Sequence, residues 1–136
     1  EELLSIPDGK NCAVDQVLYN LGSRGIEYDL IPCLKSHNVV AMAYCPLAQA
    51  GTLKRSQRDL RRDPVLVEIA EKYRISVMQL AFVLRQDNMV AIPKAGSPSH
   101  VRKNAEVLHI SIADEDWRKI DKTFLPPTEK TPLGME

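Results

Sequence analysis

The run Met89-Val90-Ala91-Ile92-Pro93-Lys94-Ala95-Gly96-Ser97-Pro98 constrains this chain more than any other segment. It reads as an apolar strand that stops at a lysine, turns through Ala95 and Gly96, and enters a helix capped by Ser97 with Pro98 in its first turn. A cation beside a fresh helix N-terminus makes an anion site, because unpaired backbone N–H groups and the positive end of the helix dipole point the same way. The segment suits a phosphate held by Lys94 and the amides after Ser97. It suits equally well an ordinary strand-to-helix turn with a solvated lysine. Both readings stay open on these residues alone.

Two further apolar runs, Cys12 to Leu18 and Val39 to Tyr44, have the length and content of buried parallel strands, as does Met89 to Pro93. Helical patterns lie between them. Ile26 to Ser36 places Ile26, Leu30 and Leu34 on one face, with Pro32 where a turn is loose or restarted. Asp63 caps and Pro64 opens a helix near 64–73, aligning Leu66, Ile69, Ala70 and Tyr73. Ser76 and Gln79 form a capping box ahead of Val77, Leu80, Ala81 and Leu84. After Ser97, the spacing turns Val101, Ala105 and Leu108 inward. A last helix from Asp114 to Thr123 buries Trp117, Ile120 and Phe124.

Alternating strands and helices are the grammar of a parallel sheet with right-handed crossovers. Three strands close nothing by themselves, and a barrel of this type needs eight and typically ~250 residues. A chain of 136 residues is one domain at most. It reads as a single partial domain over 1–136. Residues 125–136, with Pro126, Pro127 and Pro132, form an extended tail. Glu1 to Leu4 has the look of the closing turns of a helix begun upstream.

With 18 basic and 18 acidic residues, no net field steers the chain toward nucleic acid or an anionic membrane. No apolar run reaches a membrane span. Cys12, Cys33 and Cys45 are odd in number and lack metal-ligand spacing, so they read as small hydrophobes in a reducing, cytoplasmic setting, with no metal.

At four places the sequence resembles a known family. Asp15-Gln16-Val17-Leu18-Tyr19-Asn20, Ala43-Tyr44-Cys45-Pro46-Leu47-Ala48, Ile92-Pro93-Lys94 and Arg102-Lys103-Asn104 occur in the order and spacing of the C-terminal half of the aldo-keto reductases, bacterial soluble members in particular. The resemblance implies an α/β fold: the C-terminal part of a (β/α)8 TIM barrel, its three strands being the sixth to eighth. It also implies a role for each matching position. Gln16, at the end of its strand, would hydrogen-bond the nicotinamide carboxamide, and Tyr44 would stack on the nicotinamide. Cys45, Leu47, Gln49 and Gly51 would run along the pyrophosphate. Lys94, with Ala95, Gly96, Ser97 and His100 beside it, would meet the 2′-phosphate of NADP(H), and Asn104 the adenine. NAD(H) is the alternative cofactor.

Some positions depart from the family pattern. His100 replaces an arginine, leaving Arg102 as the candidate to compensate. Asp15 replaces an asparagine in a strand, where a buried carboxylate needs a partner. Ala113 stands where a serine usually caps the last helix, a loss of about 1 kcal/mol. The family's catalytic Asp, Tyr, Lys and His would all lie upstream. None of Tyr19, Tyr28, Tyr44 or Tyr73 has the catalytic context, and His37, His100 and His109 read as solvated side chains. The resemblance therefore implies an oxidoreductase that reduces aldehydes or ketones to alcohols, of which this chain is the cofactor-binding part and inactive alone. A non-catalytic nucleotide-binding or regulatory protein on the same fold is the alternative. Expected partners are a small carbonyl substrate and either the remaining half of the barrel or a second copy across exposed strand edges.

Overall fold

In the computed structural model, residues 2–48, 52–53, 58–82 and 88–134 are described. A short helix, α1 (Glu2–Ser5), precedes β1 (Val14–Leu18), α2 (Leu30–Ser36) and β2 (Val40–Tyr44). A small antiparallel pair follows, β3 (Thr52–Leu53) with β4 (Arg58–Asp59), then α3 (Pro64–Tyr73) and α4 (Val77–Phe82). The chain closes with β5 (Met89–Ala91), α5 (Pro98–Glu106) and α6 (Asp114–Thr123).

The sheet order is β1-β2-β5, all parallel, with Leu18 opposite Tyr44 and Ala43 opposite Ala91. The two-residue period of the strands sorts its faces. Val17, Tyr19, Ala41 and Ala43 point into a core with Ile26, Ile31 and Leu34 of the first crossover. Gln16, Leu18, Met42, Tyr44, Val90 and Ile92 share the other face, where Val14, Val90 and Ile92 are exposed. A second core joins α3, α4 and α6 through Leu66, Ile69, Leu80, Trp117 and Ile120.

Local signals set the helix starts. Asp63 accepts from the amides of Val65 and Leu66 at 3.1 and 3.2 Å, and Ser76 and Gln79 exchange the two bonds of a capping box. Pro32 is tolerated because it sits in the first turn of α2, where an amide would lack an intrahelical partner. The expected single helix from Ile26 is accordingly two pieces, a 3-10 turn at Gly25–Glu27 and then α2. Among the described residues β1 is an edge of the three-stranded sheet, and Asp15 on it is half-exposed.

The inward turn of Val101, Ala105 and Leu108 is a correction. Val101 is 56% and Leu108 83% exposed, and Ala105 is exposed as well. The helix docks by another face: Gln79 Nε2 donates to the Lys103 carbonyl at 3.2 Å and to Glu106 at 2.9 Å, while Val107 is buried. Leu84 lies outside the described residues. Trp117, Ile120 and Phe124 are buried as their spacing requires.

Arg24 ties the ends of the chain together. Its guanidinium, 9% exposed, pairs with Glu27 through two bonds of 2.8 Å, with Asp121 at 2.8 Å and with the Phe124 carbonyl. Burial opposes its charge, but the bonds to Glu27 and Asp121 outweigh that and hold its pKa above the ordinary value. No described helix is long and apolar enough to cross a membrane.

Candidate functional site

The turns after the three strands gather at one end of the sheet. After β2 the chain bends sharply, with Cys45 at φ 48° and Ala48 at φ 47°. Positive φ is uncommon for non-glycine residues and needs support from outside the turn. Asn20, buried after β1, provides it: its Nδ2 donates to the Cys45 carbonyl at 3.0 Å, and its Oδ1 accepts from the Gly22 amide at 2.9 Å. The Ala48 amide donates to the same Cys45 carbonyl at 3.0 Å. The Tyr44 hydroxyl donates to the Gly134 carbonyl at 3.4 Å, bringing the tail over the end of β2.

After β5 the chain passes through Lys94, Ala95 and Gly96 into α5, with Ser97 as its cap. The Ser97 hydroxyl accepts from the His100 amide at 3.3 Å, and its carbonyl from the Val101 amide at 3.1 Å. Pro98 has no N–H, so Ser99 is the position in this turn whose amide faces neither bond. The expectation of several ligand-facing amides after Ser97 is reduced to that one. The anion-binding weight falls on side chains instead.

Those side chains line a cavity of about 770 Å³ between the β2 turn, α4 and the start of α5. Cys45, Leu47, Lys94, His100 and Asn104 all contribute to its wall, so five of the sequence-derived positions meet in one place. The volume lies in the range of sites that take small molecules and cofactors. Met78, Ile92 and Pro93 add apolar wall. Lys94, Lys103 and Arg61 add three permanent cations, and no carboxylate stands among the described residues that line the cavity, so the enclosure favours an anionic ligand with an apolar or aromatic body.

Gln16 is not at the end of its strand. It is the third residue of β1, opposite Met42, because pairing continues to Leu18 opposite Tyr44. Two residues of rise set it about 6.6 Å below the level of Tyr44, on the same sheet face. Tyr44 is the last residue of β2, and Lys94 follows β5 by three positions, so both stand at the C-terminal ends. Gln49 and Gly51 lie outside the described residues. Ala95, Gly96 and Ser97 form the connection rather than the cavity wall. Arg102 is exposed and is not part of that wall either.

Comparison with known proteins decides what this arrangement belongs to. The model of the Aldo/keto reductase family matches residues 6–124. The chain belongs to the aldo-keto reductase family. It is 44% identical over 137 residues to methylglyoxal reductase YeaE of Escherichia coli strain K12, an alignment covering 99% of this chain and 47% of that protein. It is 26% identical to the NADH-specific methylglyoxal reductase of the same organism, over 74% of this chain and 38% of that one. The crystal structure of an aldo-keto reductase from Klebsiella pneumoniae in complex with NADPH superposes with a TM-score of 0.91 at 43% identity, covering 98% of this chain and 47% of that one. The chain thus spans about half the length of these relatives. Its three parallel strands and their helices are part of an aldo-keto reductase (β/α)8 barrel, whose sites gather at the C-terminal ends of the strands.

Two polar positions of this aldo-keto reductase chain carry no assigned role in the sequence reading. Asn20 falls within a quoted motif, yet nothing in its spacing says that it braces Cys45. Arg61 sits in the 3-10 turn Leu60–Arg62 before α3 and lines the cavity. Asp59 accepts from the Arg61 amide at 3.0 Å and from Nε and Nη2 at 2.8 and 2.9 Å, which fixes the guanidinium. The bond from Arg61 holds the Asp59 carboxyl below its ordinary range. Among the tyrosines, Tyr19 donates to Glu27 at 2.6 Å and Tyr73 to Asp116 at 2.8 Å.

Proposed function

We propose that the protein carrying this chain is an NADP(H)-dependent reductase of aldehydes or ketones, and that residues 1–136 act in it as one partial domain holding the cofactor. The observation that carries this reading is the convergence of Cys45, Leu47, Lys94, His100 and Asn104 on one cation-lined cavity beside Tyr44. Lys94 would hold the 2′-phosphate and Asn104 the adenine. Cys45 and Leu47, with Gln49 and Gly51, would border the pyrophosphate. Tyr44 would offer its ring, and Gln16 its amide, to the nicotinamide end. When bound, the cofactor supplies the hydride.

The proton for the carbonyl oxygen would come from elsewhere in the protein. The hydroxyls of Tyr19, Tyr44 and Tyr73 already donate to Glu27, Gly134 and Asp116, which supports that view. The exposed sheet face bearing Val14, Val90 and Ile92 would receive the rest of the barrel. The three free cysteines fit a reducing, cytoplasmic setting.

The test is Lys94→Met in the full-length protein, by fluorescence titration with NADPH and with NADH. A charge-assisted bond is worth ~1.5–3 kcal/mol, about ten- to a hundredfold in binding. NADPH should weaken by that factor while NADH barely moves. Equal losses for both would displace the phosphate from Lys94 and overturn the assignment. NADPH oxidation with a nitrobenzaldehyde, absent in residues 1–136 alone and present in the full-length protein, tests the reductase reading itself.

A further inference from the structure

Lys94 and His100 reach the cavity from the β5–α5 connection and the first turn of α5, and Arg61 reaches it from the 3-10 turn Leu60–Arg62 that leads into α3. These elements offer different chemistry. Lys94 is a compact point charge, and the two ring nitrogens of the His100 imidazole point in divergent directions. Neither matches a phosphate dianion with a planar pair of donors. A guanidinium does, because its fork bonds two oxygens at once. Among the described residues lining this cavity, Arg61 is the guanidinium. Arg102, the arginine favoured by sequence position, is not part of the wall.

The Asp59 contacts make this fork a prepared one. They occupy Nε and one Nη2 proton, at 2.8 and 2.9 Å, and a guanidinium has five N–H donors. Nη1 and the remaining Nη2 proton stay available on a side chain that is 56% exposed and oriented by Asp59. Binding through it therefore costs less side-chain entropy than ordering a loose arginine. Arg62, by contrast, is 4.0 Å from Asp59 with its side chain 89% exposed, and it does not line the cavity.

We infer that Arg61, held by Asp59, is a specificity-determining residue that selects the 2′-phosphorylated dinucleotide from the 3-10 turn before α3. This inference rests on the reading of the cavity as the cofactor site. It assigns to the linker before α3 a discriminating role that the strand-end residues do not fill alone.

The experiment uses the full-length protein, with Arg61→Met, Arg61→Lys and Lys94→Met compared by titration with NADPH and NADH, and by competition with 2′,5′-ADP and 5′-AMP. Arg61→Met should weaken NADPH and 2′,5′-ADP about tenfold and leave NADH and 5′-AMP within twofold. Arg61→Lys should recover only part of the loss, since it restores charge without the fork. Unchanged thermal unfolding midpoints establish that the exposed substitution leaves the fold intact. Equal losses for phosphorylated and unphosphorylated ligands, or no loss, would overturn the role of Arg61. If Lys94→Met is selective while Arg61→Met is not, this inference alone falls. If the unmodified protein binds neither dinucleotide, the cofactor reading falls and takes the inference with it.

Discussion

The amide of Asn20 donates to the carbonyl of Cys45 across 3.0 Å, joining the turn after β1 to the strained turn after β2. Cys45 and Leu47 line the cavity, so this single bond sets part of its wall. Asn20→Ala would remove the brace and leave a void where a buried amide stood. Losing a buried hydrogen-bond partner costs about 1–3 kcal/mol. We expect a lower thermal midpoint and weaker binding of NADPH and NADH alike, because the turn lies away from the 2′-phosphate. Calorimetry and titration together check this, and a loss confined to NADPH would contradict it.

Arg24 offers a sharper stability test. Arg24→Met would take the cation away from the partly buried carboxylates of Glu27 and Asp121, leaving Glu27 the neutral Tyr19 donor, and would remove one donor from the Phe124 carbonyl. Removing one partner of a buried ion pair costs about 3–5 kcal/mol. Arg24→Lys should recover little, since a single ammonium cannot reproduce the two-bond contact with Glu27 while also reaching Asp121. Denaturant midpoints of the two variants should therefore lie close together and well below that of the parent.

Local chemistry made much of this structure legible. Asp63-Pro64, Ser76 with Gln79, and Ser97-Pro98 each carry their helix start within a few residues, and each is where the residues place it. The ends of β2 and β5, whose following turns border the cavity, were legible because Tyr44 and Lys94 close apolar runs. Tertiary context decided what failed. Val101 and Leu108 have helical spacing, but which face of α5 docks depends on Gln79, more than twenty residues away. Gln16 was set at a strand end because the apolar run does not reveal where pairing stops. Arg61 was invisible, since a 3-10 turn as short as Leu60–Arg62 has no periodicity to read.

The missing cap of α6 can be repaired. Ala113 has extended backbone at the N-cap, φ −66° and ψ 149°, and makes no side-chain cap bond. Serine there can accept a first-turn amide without moving the chain. Ala113→Ser should raise stability by about 1 kcal/mol. Its own amide already donates to the Tyr73 hydroxyl at 2.8 Å, and that bond is unaffected by the change. An unchanged or lower midpoint would mean that the acidic first turn already saturates this helix end.

Asp116 gives the protein a pH-dependent clasp between α3 and α6. Its carboxylate is fully buried and accepts from Lys72 Nζ at 2.7 Å and from the Tyr73 hydroxyl at 2.8 Å. Lys119 Nζ lies 3.9 Å from its other oxygen, and Glu115 and Glu68 share the two lysines. The bond from Lys72 outweighs burial, and with help from Tyr73 it holds the carboxyl below its ordinary pKa. A carboxyl depressed in the folded state stabilises above the unfolded value, about 3.9, and loses that contribution as pH falls through the folded one. Lys72→Met removes the chief cause and leaves burial opposed by the Tyr73 bond and the more distant Lys119, so the carboxyl moves up from where it stands in the parent. Its folded form then gains, relative to the parent, as the group protonates. The gap in thermal midpoint between parent and variant should therefore be largest near pH 7 and shrink as pH falls below about 4. Tyr73→Phe should show the same trend more weakly. A gap that stays constant from pH 7 to pH 3 would mean that Asp116 does not titrate with folding and that Lys72 acts by packing alone.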